Sequence, residues 1–444
     1  MRKIAFYTLG CKVNQYETEA MRELFEKNGD VIVESDQEAD VYVINTCTVT
    51  NVGDKKSRQF IRKSKRMNPN ALIAVVGCYS QIAPDEIKNI EGVNLVLGTN
   101  DRNQIVELLN GVSVNEQKAH VANIMDIREF EEMTVDKIEG KTRAFLKIQE
   151  GCNQYCSYCI IPYARGPIRS RDPQNVIDEV KRLVKNGFSE IVLTGIHVAS
   201  YGKDLDNVSL LELIKRVHDV EGLKRIRLSS AEPNMLRDDF IRILSKLPKV
   251  CPHFHISLQS GSDATLKRMN RKYTTSEYKE IVRNLRTYLP KASITTDIIV
   301  GFPGETNEEF EETCAFVKDI GFSQVHVFKY SPREGTPAAK MKEQVDGLVK
   351  NSRSNTLMDI AGEMQLKYIK SQMGQRMCFI VERIDSKKQT VEGLTPNYLR
   401  VQAKNRGFEE GQEAEVVLLN NEGEMVWGDI VSSVCTIDPI SSSE

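Results

Sequence analysis

The chain has 444 residues, with 60 Lys and Arg balanced by 62 Asp and Glu, and a formal net charge of −2. This length predicts about two to four domains. The charge balance excludes an overall field that would attract nucleic acid or a membrane surface. No apolar run approaches the length of about 18 residues that a membrane span needs, and no signal-peptide pattern is visible. We therefore expect a cytoplasmic protein with no membrane partner, whose ten cysteines favour metal or redox roles over disulfides.

The first quarter of the chain alternates apolar runs with helical patterns. Strands are predicted at 4–9, 41–46, 72–77 and 93–97, and helices at 14–27, 54–68 and 84–89. Strands that alternate with helices predict a parallel sheet covered on both faces.

Three cysteines lie at the ends of these strands. Cys11 follows the first strand, Cys47 ends the second and Cys78 ends the third. The carboxyl ends of parallel strands form the edge where ligands bind, so we expect the three thiols to converge. Cysteine is also often a buried packing residue. Three cysteines at one edge nevertheless favour a metal cluster.

The helix after Cys47 carries a run of basic residues with no acidic residue between them, so its i,i+4 pairs repel. The run is either a solvated helix face or a surface for a polyanion, and the sequence leaves both interpretations open. Its members are Lys55, Lys56, Arg58, Arg62, Lys63, Lys65 and Arg66.

A second set of three cysteines, Cys152, Cys156 and Cys159, has the spacing C-x₃-C-x₂-C and follows a predicted strand at 143–149. Three thiolates suit a [4Fe–4S] cluster in which one iron has no protein ligand. Zinc is the alternative, but a structural zinc site needs a fourth Cys or His nearby. The next histidine, His197, is too distant for a compact site.

The middle of the chain predicts six βα units, which fit a partial barrel with its active site at the carboxyl ends of the strands. The strands are predicted at 143–149, 190–195, 225–229, 253–259, 293–300 and 324–330, with helices at 174–186, 210–220, 235–247, 276–289 and 307–320.

Short alternating runs at 378–384, 390–394, 399–402, 415–419 and 425–431 predict a small C-terminal β-barrel. The expected fold class is therefore α/β: a parallel sheet domain, a partial (β/α)₆ barrel and a small β-barrel. Residues 371–433 contain seven Lys and Arg against ten Asp and Glu, so RNA contact would need particular residues such as Arg400, Lys404 and Arg406. Four other cysteines are expected to be packing residues: Cys251, Cys314, Cys378 and Cys435.

The second cysteine loop, with Tyr158 before its last cysteine, resembles the signature of radical S-adenosylmethionine (SAM) enzymes. Segments 8–14, 45–50 and 76–81 resemble the N-terminal domain of the methylthiotransferases, and 393–398 resembles their RNA-binding TRAM domain. The resemblance covers the whole chain. It implies a methylthiotransferase domain at 1–112, a linker at 113–140, a radical SAM core at 141–370, a TRAM domain at 371–436 and a disordered tail at 437–444.

The resemblance implies an enzyme that replaces an unactivated C–H bond by C–S–CH₃. It assigns an auxiliary [4Fe–4S] cluster to Cys11, Cys47 and Cys78, where sulfur is delivered and methylated. It assigns a second [4Fe–4S] cluster to Cys152, Cys156 and Cys159, and SAM bound to this cluster yields a radical. Two SAM molecules serve each turnover. No catalytic residue beyond the cluster ligands is expected.

The resemblance also suggests SAM contacts at the strand ends, with Glu305 as an alternative to Asp297 for the ribose hydroxyls. Tight turns explain the glycines among them equally well. His197 is either a metal ligand or proton carrier or, as we favour, an ordinary hydrogen-bonded residue. The suggested contacts are Tyr158, Thr194, Gly195, Ser229, Glu232, Gln259, Asp297 and Gly301.

Two basic groups near the predicted barrel mouth are either phosphate-binding residues or solvated surface charges. They are Arg165, Arg169 and Arg171, and Lys267, Arg268, Arg271 and Lys272.

Motifs at 9–14 and 160–166 are most similar to the threonylcarbamoyladenosine branch of the family. This similarity implies methylthiolation at C2 of N6-threonylcarbamoyladenosine at position 37 of tRNA, with the anticodon stem-loop as partner and the enzyme as a monomer. The isopentenyladenosine branch and the ribosomal-protein aspartate branch are alternatives. A zinc-stabilised RNA-binding protein is the alternative that is not an enzyme. The sequence identifies neither the sulfur donor nor the electron donor.

Overall fold

The computed structural model describes residues 1–49, 51–136 and 142–435. The tail predicted at 437–444 lies outside the described residues. Within them, no helix combines the length and the apolar character that crossing a membrane requires.

The N-terminal sheet is parallel throughout, with strand order β2-β1-β3-β4-β5-β6, which confirms the predicted architecture. Its last strand comes from the stretch predicted as a linker, so the sheet extends beyond residue 112. The strands β1 to β6 are Lys3–Thr8, Val31–Val33, Val41–Thr46, Leu72–Gly77, Leu95–Leu97 and Lys118–His120.

Helices cover both faces of this sheet, and every residue of its central strand β3 is buried. Val43 faces one apolar cluster with Phe25, while Ile44 faces another with Ile61, because successive residues of a strand point to opposite faces. The helices α1 to α5 are Lys12–Lys27, Asn51–Met67, Cys78–Ile82, Pro84–Lys88 and Ile105–Asn110.

The central domain contains two four-stranded sheets, ordered β10-β9-β7-β8 and β11-β12-β13-β14. A parallel bridge between Ile226 and Val250 joins them into an open barrel, and β8 alone runs antiparallel to its neighbour. The strands β7 to β14 are Arg143–Glu150, Arg169–Ser170, Glu190–Gly195, Arg225–Leu228, Ser230–Ala231, His253–Ile256, Ser293–Val300 and Gln324–Lys329. The helices α6 to α13 are Ile161–Arg165, Pro173–Lys185, Leu210–His218, Asp238–Leu244, Asp263–Arg268, Thr275–Tyr288, Asn307–Ile320 and Gly347–Ser371.

The interior of this barrel is polar. Apolar residues such as Leu193, Ile226 and Ile298 pack in the core between the strands and the helices. Their sequence neighbours therefore face the opposite way, into the barrel. The inward side chains include Lys147, Thr194, Arg227, His255 and Asp297.

The C-terminal domain is a closed five-stranded barrel, as predicted. Arg227 donates hydrogen bonds to the carbonyl oxygens of Thr395 and Pro396, and the Tyr398 ring stacks on His253 with centroids 4.3 Å apart. The loop that resembles the TRAM motif therefore docks on the central barrel. The strands β15 to β19 are Arg376–Asp385, Thr390–Leu394, Arg400–Lys404, Glu413–Glu422 and Met425–Ser432.

One expectation about cysteines is wrong. Cys378 and Cys435, predicted to be packing residues, form a disulfide between the start of β15 and the chain that leaves β19. Pairing of β18 with both of these strands brings the two thiols together across 57 residues of sequence.

Candidate active site

The first three cysteines converge at one edge of the N-terminal sheet. They follow β1, β3 and β4, which are adjacent in the sheet. Cys11 immediately precedes α1, Cys47 follows β3, and Cys78 begins α3. Burial raises the pKa of Cys78 to about 12, with further increases from Cys47 and Cys11. The three thiols are thus close enough to influence one another, as the sequence predicted.

Gly10 makes this convergence possible. Its φ of +106° favours glycine, and a Cβ at this position would lie 2.9 Å from the Cβ of Cys47 and 3.2 Å from its Sγ. Any larger residue would push the loops of Cys11 and Cys47 apart.

The second cysteine loop, residues 151–159, is constrained in the same way at Gly151. This residue has a φ of +72°, and a Cβ there would lie 1.9 Å from the carbonyl oxygen of Pro167. Burial raises the pKa of Cys152 to about 11 and that of Cys159 to about 12. The Sγ of Cys156 accepts a hydrogen bond of 3.3 Å from Arg271.

Arg165 connects the two cysteine sets. It ends α6, shortly after Cys159, and its Nε donates to the Sγ of Cys78 at 3.0 Å. Its other nitrogens donate to Asn14 at 2.7 Å and to Glu17 at 2.6 Å. The residue is fully buried, so it is neither a phosphate-binding residue at the barrel mouth nor a solvated charge.

Arg165 belongs to a buried charge network between the two domains. Burial alone would raise the pKa of Glu17, but Arg102, Arg165 and Lys147 hold it below its usual range. The Lys147 ammonium lies 3.1 Å from Glu17 and 2.8 Å from Glu150. These side chains are at most 2% exposed, so the network fixes α1 of the first domain against β7 of the barrel.

The spacing of the thiols bears on which metal group they fit. In the part of the chain that the structure describes, the ligand atoms of His255, Asp297 and His326 form the one group of three within 4.8 Å of one another. Neither cysteine set is that compact. A zinc ion with Zn–S bonds of about 2.3 Å would hold its thiolates about 3.8 Å apart. Thiolates that each bind a different iron lie farther apart, so both sets fit a cluster better than a single ion.

A cavity of about 250 Å³ adjoins the second cysteine set. Cys159 lines it together with Tyr158, Gln259 and Asp297, three of the predicted SAM contacts. Val49, two residues after Cys47, also lines the cavity. The surroundings of both cysteine sets therefore open onto one space.

The other predicted SAM contacts lie outside the lining of this cavity. Glu232 is bound by Arg271 at 2.7 Å, so it helps to position the residue that contacts Cys156. The Gly301 N–H donates to Glu305, whose carboxylate also pairs with Arg353 at 2.6 Å. Both contacts use the Oε1 oxygen of Glu305, and its role as a ribose acceptor stays a prediction. The remaining predicted contacts lie at the ends of two neighbouring strands: Thr194 and Gly195 end β9, and Ser229 directly follows β10.

His197 hydrogen-bonds through one ring nitrogen, while its Nε2 is buried without a hydrogen-bond partner among the described residues, so its role stays a prediction. Its Nδ1 lies 2.7 Å from Ser200 Oγ, and its Nε2 lies 3.9 Å from Glu232. Burial lowers its pKa, which favours the neutral ring.

Most of the basic residues that were expected to contact phosphates are paired with acids. Arg171 is buried and lies 2.7 Å from Glu179, while Arg406 lies 2.7 Å from Asp429. Arg268 pairs with Glu309 and Arg400 with Glu392, and Arg169 is buried. The partners are distant in sequence or on another strand, so charge runs alone did not reveal them. Arg400 and Arg406 are exposed despite these pairings, as are Lys267, Lys272 and Lys404.

Sequence reasoning missed Lys12, the first residue of α1. Its side chain is mostly buried, which lowers its pKa to about 8; the charges of Arg227 and Arg143 lower it further, while that of Asp297 raises it. These three residues belong to the barrel, so the pKa of Lys12 depends on charges of the central domain. Its position directly after a cysteine at the sheet edge was the available signal.

Comparisons with known proteins agree with this geometry. Residues 146–317 match the Radical SAM superfamily, and residues 3–98 match Uncharacterized protein family UPF0004. The threonylcarbamoyladenosine tRNA methylthiotransferase MtaB of Bacillus subtilis (strain 168) is 46% identical over 96% of this chain and 97% of its own length. The chain belongs to the radical SAM tRNA methylthiotransferases. This methylthiotransferase is therefore an enzyme of a family that uses [4Fe–4S] clusters and SAM.

Other relatives include both tRNA branches. The MtaB methylthiotransferase of Aquifex aeolicus (strain VF5) is 39% identical over 92% of this chain and 98% of its own. A tRNA-2-methylthio-N(6)-dimethylallyladenosine synthase of Clostridium botulinum (strain Langeland / NCTC 10281 / Type F) is 38% identical over 84% of this chain and 85% of its own. The radical SAM methyltransferase TsrM from Kitasatospora setae shares the fold, with a TM-score of 0.57, 15% identity and coverage of 76% of this chain and 77% of its own.

Proposed function

We propose that this methylthiotransferase acts on C2 of N6-threonylcarbamoyladenosine at position 37 of tRNA. The observation that carries the proposal is the shared cavity beside the two cysteine sets, lined by Cys159 and by Val49 near Cys47. Two cysteine sets beside one cavity suit a reaction that needs hydrogen abstraction at one cluster and sulfur delivery at the other. The names of the most similar relatives support the nucleoside.

The cluster ligands are part of the proposal. The auxiliary cluster would be held by Cys11, Cys47 and Cys78. The SAM-binding cluster would be held by Cys152, Cys156 and Cys159. When bound, the clusters and SAM supply the radical, the sulfur and the methyl group.

The protein's own residues hold these ligands in place. Arg165 donates to the sulfur of Cys78, and Arg271 donates to that of Cys156. Each arginine is also anchored by a carboxylate, Glu17 for the first and Glu232 for the second. The guanidinium groups stabilise negative charge on the sulfurs and fix the directions in which they point.

For the tRNA anticodon stem-loop we propose docking along α2. This helix begins four residues after Cys47, and its basic residues are exposed except Arg58, which pairs with Glu86 at 3.1 Å, and the half-buried Lys65. Contacts between these basic side chains and the phosphates would position the RNA on the protein without reading its base sequence. The exposed members are Lys55, Lys56, Arg62, Lys63 and Arg66.

The remaining organisation follows from this assignment. We propose the three-domain division given above, with the radical SAM core at 141–370 and the TRAM domain at 371–436. Because a single chain carries both cysteine sets, a monomer suffices for the reaction. A tRNA substrate places the enzyme in the cytoplasm.

The substrate is tested by an anaerobic assay of the reconstituted enzyme with SAM and reductant. The tRNAs supplied carry either threonylcarbamoyladenosine or isopentenyladenosine, and the digested nucleosides are weighed by mass spectrometry. We expect a methylthio mass gain on the threonylcarbamoyl nucleoside alone. A gain on the isopentenyl nucleoside alone would move the enzyme to the other branch. SAM cleavage without a gain on either nucleoside would point to a different acceptor.

A further inference from the structure

The exposed aromatic residues of this protein lie in one region. The chain has 14 Tyr, 15 Phe and one Trp, and the structure describes all of them. Three of these residues are exposed: Tyr155 by 40%, Tyr163 by 41% and Phe328 by 50%. Tyr155 lies within the second cysteine loop, and Tyr163 follows Cys159 by four residues. Phe328 lines the cavity together with Cys159, so all three exposed aromatic residues surround the second cysteine set.

Tyr155 and Tyr163 also contact each other. Their ring centroids lie 6.0 Å apart, and the planes of the two rings meet at 73°. Apolar side chains that are exposed singly are common and need no explanation. Two aromatic rings that touch and still remain exposed, beside a candidate active site, indicate a surface that binds a partner.

The backbone holds Tyr155 in an uncommon conformation. Its φ of +47° lies in the left-handed region, which a bulky residue rarely adopts. The carbonyl oxygen of Tyr155 accepts a hydrogen bond of 2.9 Å from the side chain of Asn270. The N–H of Ser157 donates to the carbonyl of Met269 at 3.0 Å. The loop is thus fastened at two points to the segment that follows α10, and a strained residue held in this way is typical of ligand-binding sites.

Positive charge lies beside the two rings. The Lys272 ammonium donates at 2.7 Å to Asn270, the residue that also binds the carbonyl of Tyr155. Lys267, Lys272 and Lys329 are exposed, and Lys329 lines the cavity. Exposed rings next to ammonium groups are typical of proteins that bind single-stranded nucleic acid, where bases stack on the rings and cations contact phosphates. Because lysine is depleted at protein interfaces, an RNA loop fits this surface better than a protein partner does.

The angle between the rings indicates how the bases are arranged. Rings that meet at 73° present their faces in different directions, so one continuous stack of bases cannot lie on both. Bases that are splayed apart can do so, and aromatic side chains commonly bind such bases in RNA loops. A nucleotide that enters the cavity leaves the stack of the loop and thereby separates its two neighbours.

We propose that Tyr155 and Tyr163 stack on the unpaired bases that flank the target nucleotide in the anticodon loop. The proposal rests on the function proposed above and deepens it, because it adds base contacts to the phosphate contacts of α2. Every base has a π face, so this stacking tolerates different base sequences. Tyr155 and Tyr163 are positioning residues that take no part in the bond-forming steps.

The test measures the affinity of the reconstituted enzyme for three anticodon stem-loops. One is intact, and in the other two an abasic nucleotide replaces the base on one side or the other of position 37. The unaltered enzyme is compared with Tyr155→Leu, Tyr163→Leu and the corresponding Phe variants. Loss of a stacked base, or of the ring beneath it, should weaken binding by about 5- to 150-fold. The two losses should not add, since both remove the same contact, and the Phe variants should keep most of the affinity.

The control variant is Tyr288→Leu. Tyr288 ends α11, from which the chain passes into the start of β13, so it lies at the opposite end of the barrel from the cysteine loops. Its hydroxyl donates to Asp238 at 3.3 Å. We expect its affinity for each stem-loop to equal that of the unaltered enzyme.

Iron content is measured for every variant, because Tyr155 lies between two of the proposed cluster ligands. If Tyr155→Leu loses iron, Tyr163→Leu and the abasic comparison on the unaltered enzyme still decide the proposal.

Three outcomes would overturn the proposal. The first is equal affinity of the unaltered enzyme for the intact and both abasic stem-loops, which needs no variant. The second is a loss in both Leu variants that is the same for intact and abasic stem-loops, because the rings would then serve the fold. The third is unchanged RNA affinity in both Leu variants, which would assign the exposed pair to a protein partner.

The same measurements on isopentenyladenosine stem-loops separate this proposal from the proposed substrate. Modification of the isopentenyl stem-loop alone, with binding that depends on the two rings, would refute the substrate and support the stacking.

Discussion

At the scale of single residues, Arg165 connects the two halves of the active site. Its guanidinium contacts the sulfur of Cys78 and the carboxylates of Glu17 and Glu150, in surroundings that exclude water. Burial alone would lower the pKa of Arg165, but Cys78, Glu150 and Glu17 hold it well above its usual range. Removal of the arginine would leave two buried carboxylates with fewer partners, which is far more costly than loss of a surface ion pair.

Arg165→Gln therefore tests the network. We expect the first unfolding transition to fall by at least about 5 °C, because breaking a buried pair costs about 3–5 kcal/mol. Iron content should fall as well, since Cys78 loses its donor. Calorimetry and iron analysis provide the two readouts.

The matched control for this substitution is Arg283→Gln. Arg283 is 73% exposed and lies 3.4 Å from Glu280, so its loss should leave both readouts nearly unchanged. If Arg165→Gln behaves like the control, the network does not hold the two domains together.

At the scale of elements, the cysteine loop at 151–159 depends on the close approach of two backbone segments. The Cys152 N–H donates to the carbonyl of Gly166 at 3.0 Å, and the Cys159 N–H donates to the carbonyl of Cys156 at 3.0 Å. These bonds hold the three cysteines in one tight loop, in which Cys156 and Cys152 raise the pKa of Cys159 beyond the effect of its burial. Gly151 is the position where this winding leaves no space for a side chain.

Gly151→Ala should abolish binding of the SAM-dependent cluster. The added methyl would lie 1.9 Å from the Pro167 carbonyl oxygen, so the loop has to move. The measurements are iron content and the formation of 5′-deoxyadenosine from SAM.

Gly187→Ala is the control, because it introduces a side chain at a positive φ without a steric clash. Gly187 has a φ of +96°, but no atom lies within 4 Å of its added Cβ. We expect a loss of about 1 kcal/mol of stability and intact cluster binding. Unchanged iron in Gly151→Ala would contradict the assigned role of this loop.

At the scale of the whole molecule, local sequence patterns predicted the order of the elements well. The strands at 41–46, 190–195 and 293–300 have the predicted bounds, because each is a continuous apolar or alternating run between turn residues. The helices α11 and α12 begin at capping boxes, on Thr274 and Thr306, that local sequence alone specifies. The placement of Cys11, Cys47 and Cys78 at one edge of the N-terminal sheet followed from this order.

Local sequence patterns did not predict the contacts between residues that are distant in sequence. Arg165 and Glu17 are 148 residues apart, and Tyr398 meets His253 across two domains. The sequence allowed a short strand in the linker but did not specify β6, because Lys118–His120 is exposed and pairs on one side. Neither a charge run nor a periodic pattern indicates which distant residue will be the partner of a charged side chain, and this is why the burial of Arg165, Arg169 and Arg171 was not predicted.

We propose that one molecule holds two clusters, one in each cysteine set. The most direct test counts iron in the anaerobically reconstituted enzyme and in Cys78→Ala and Cys156→Ala, with Cys314→Ala, which lies outside both sets, as control. We predict about eight irons per chain for the unaltered enzyme and the control, and about four for each cluster variant. Cys78→Ala should still cleave SAM but form no methylthiolated nucleoside, whereas Cys156→Ala should do neither. A Cys78→Ala enzyme that keeps its full iron content and product yield would contradict the two-cluster account.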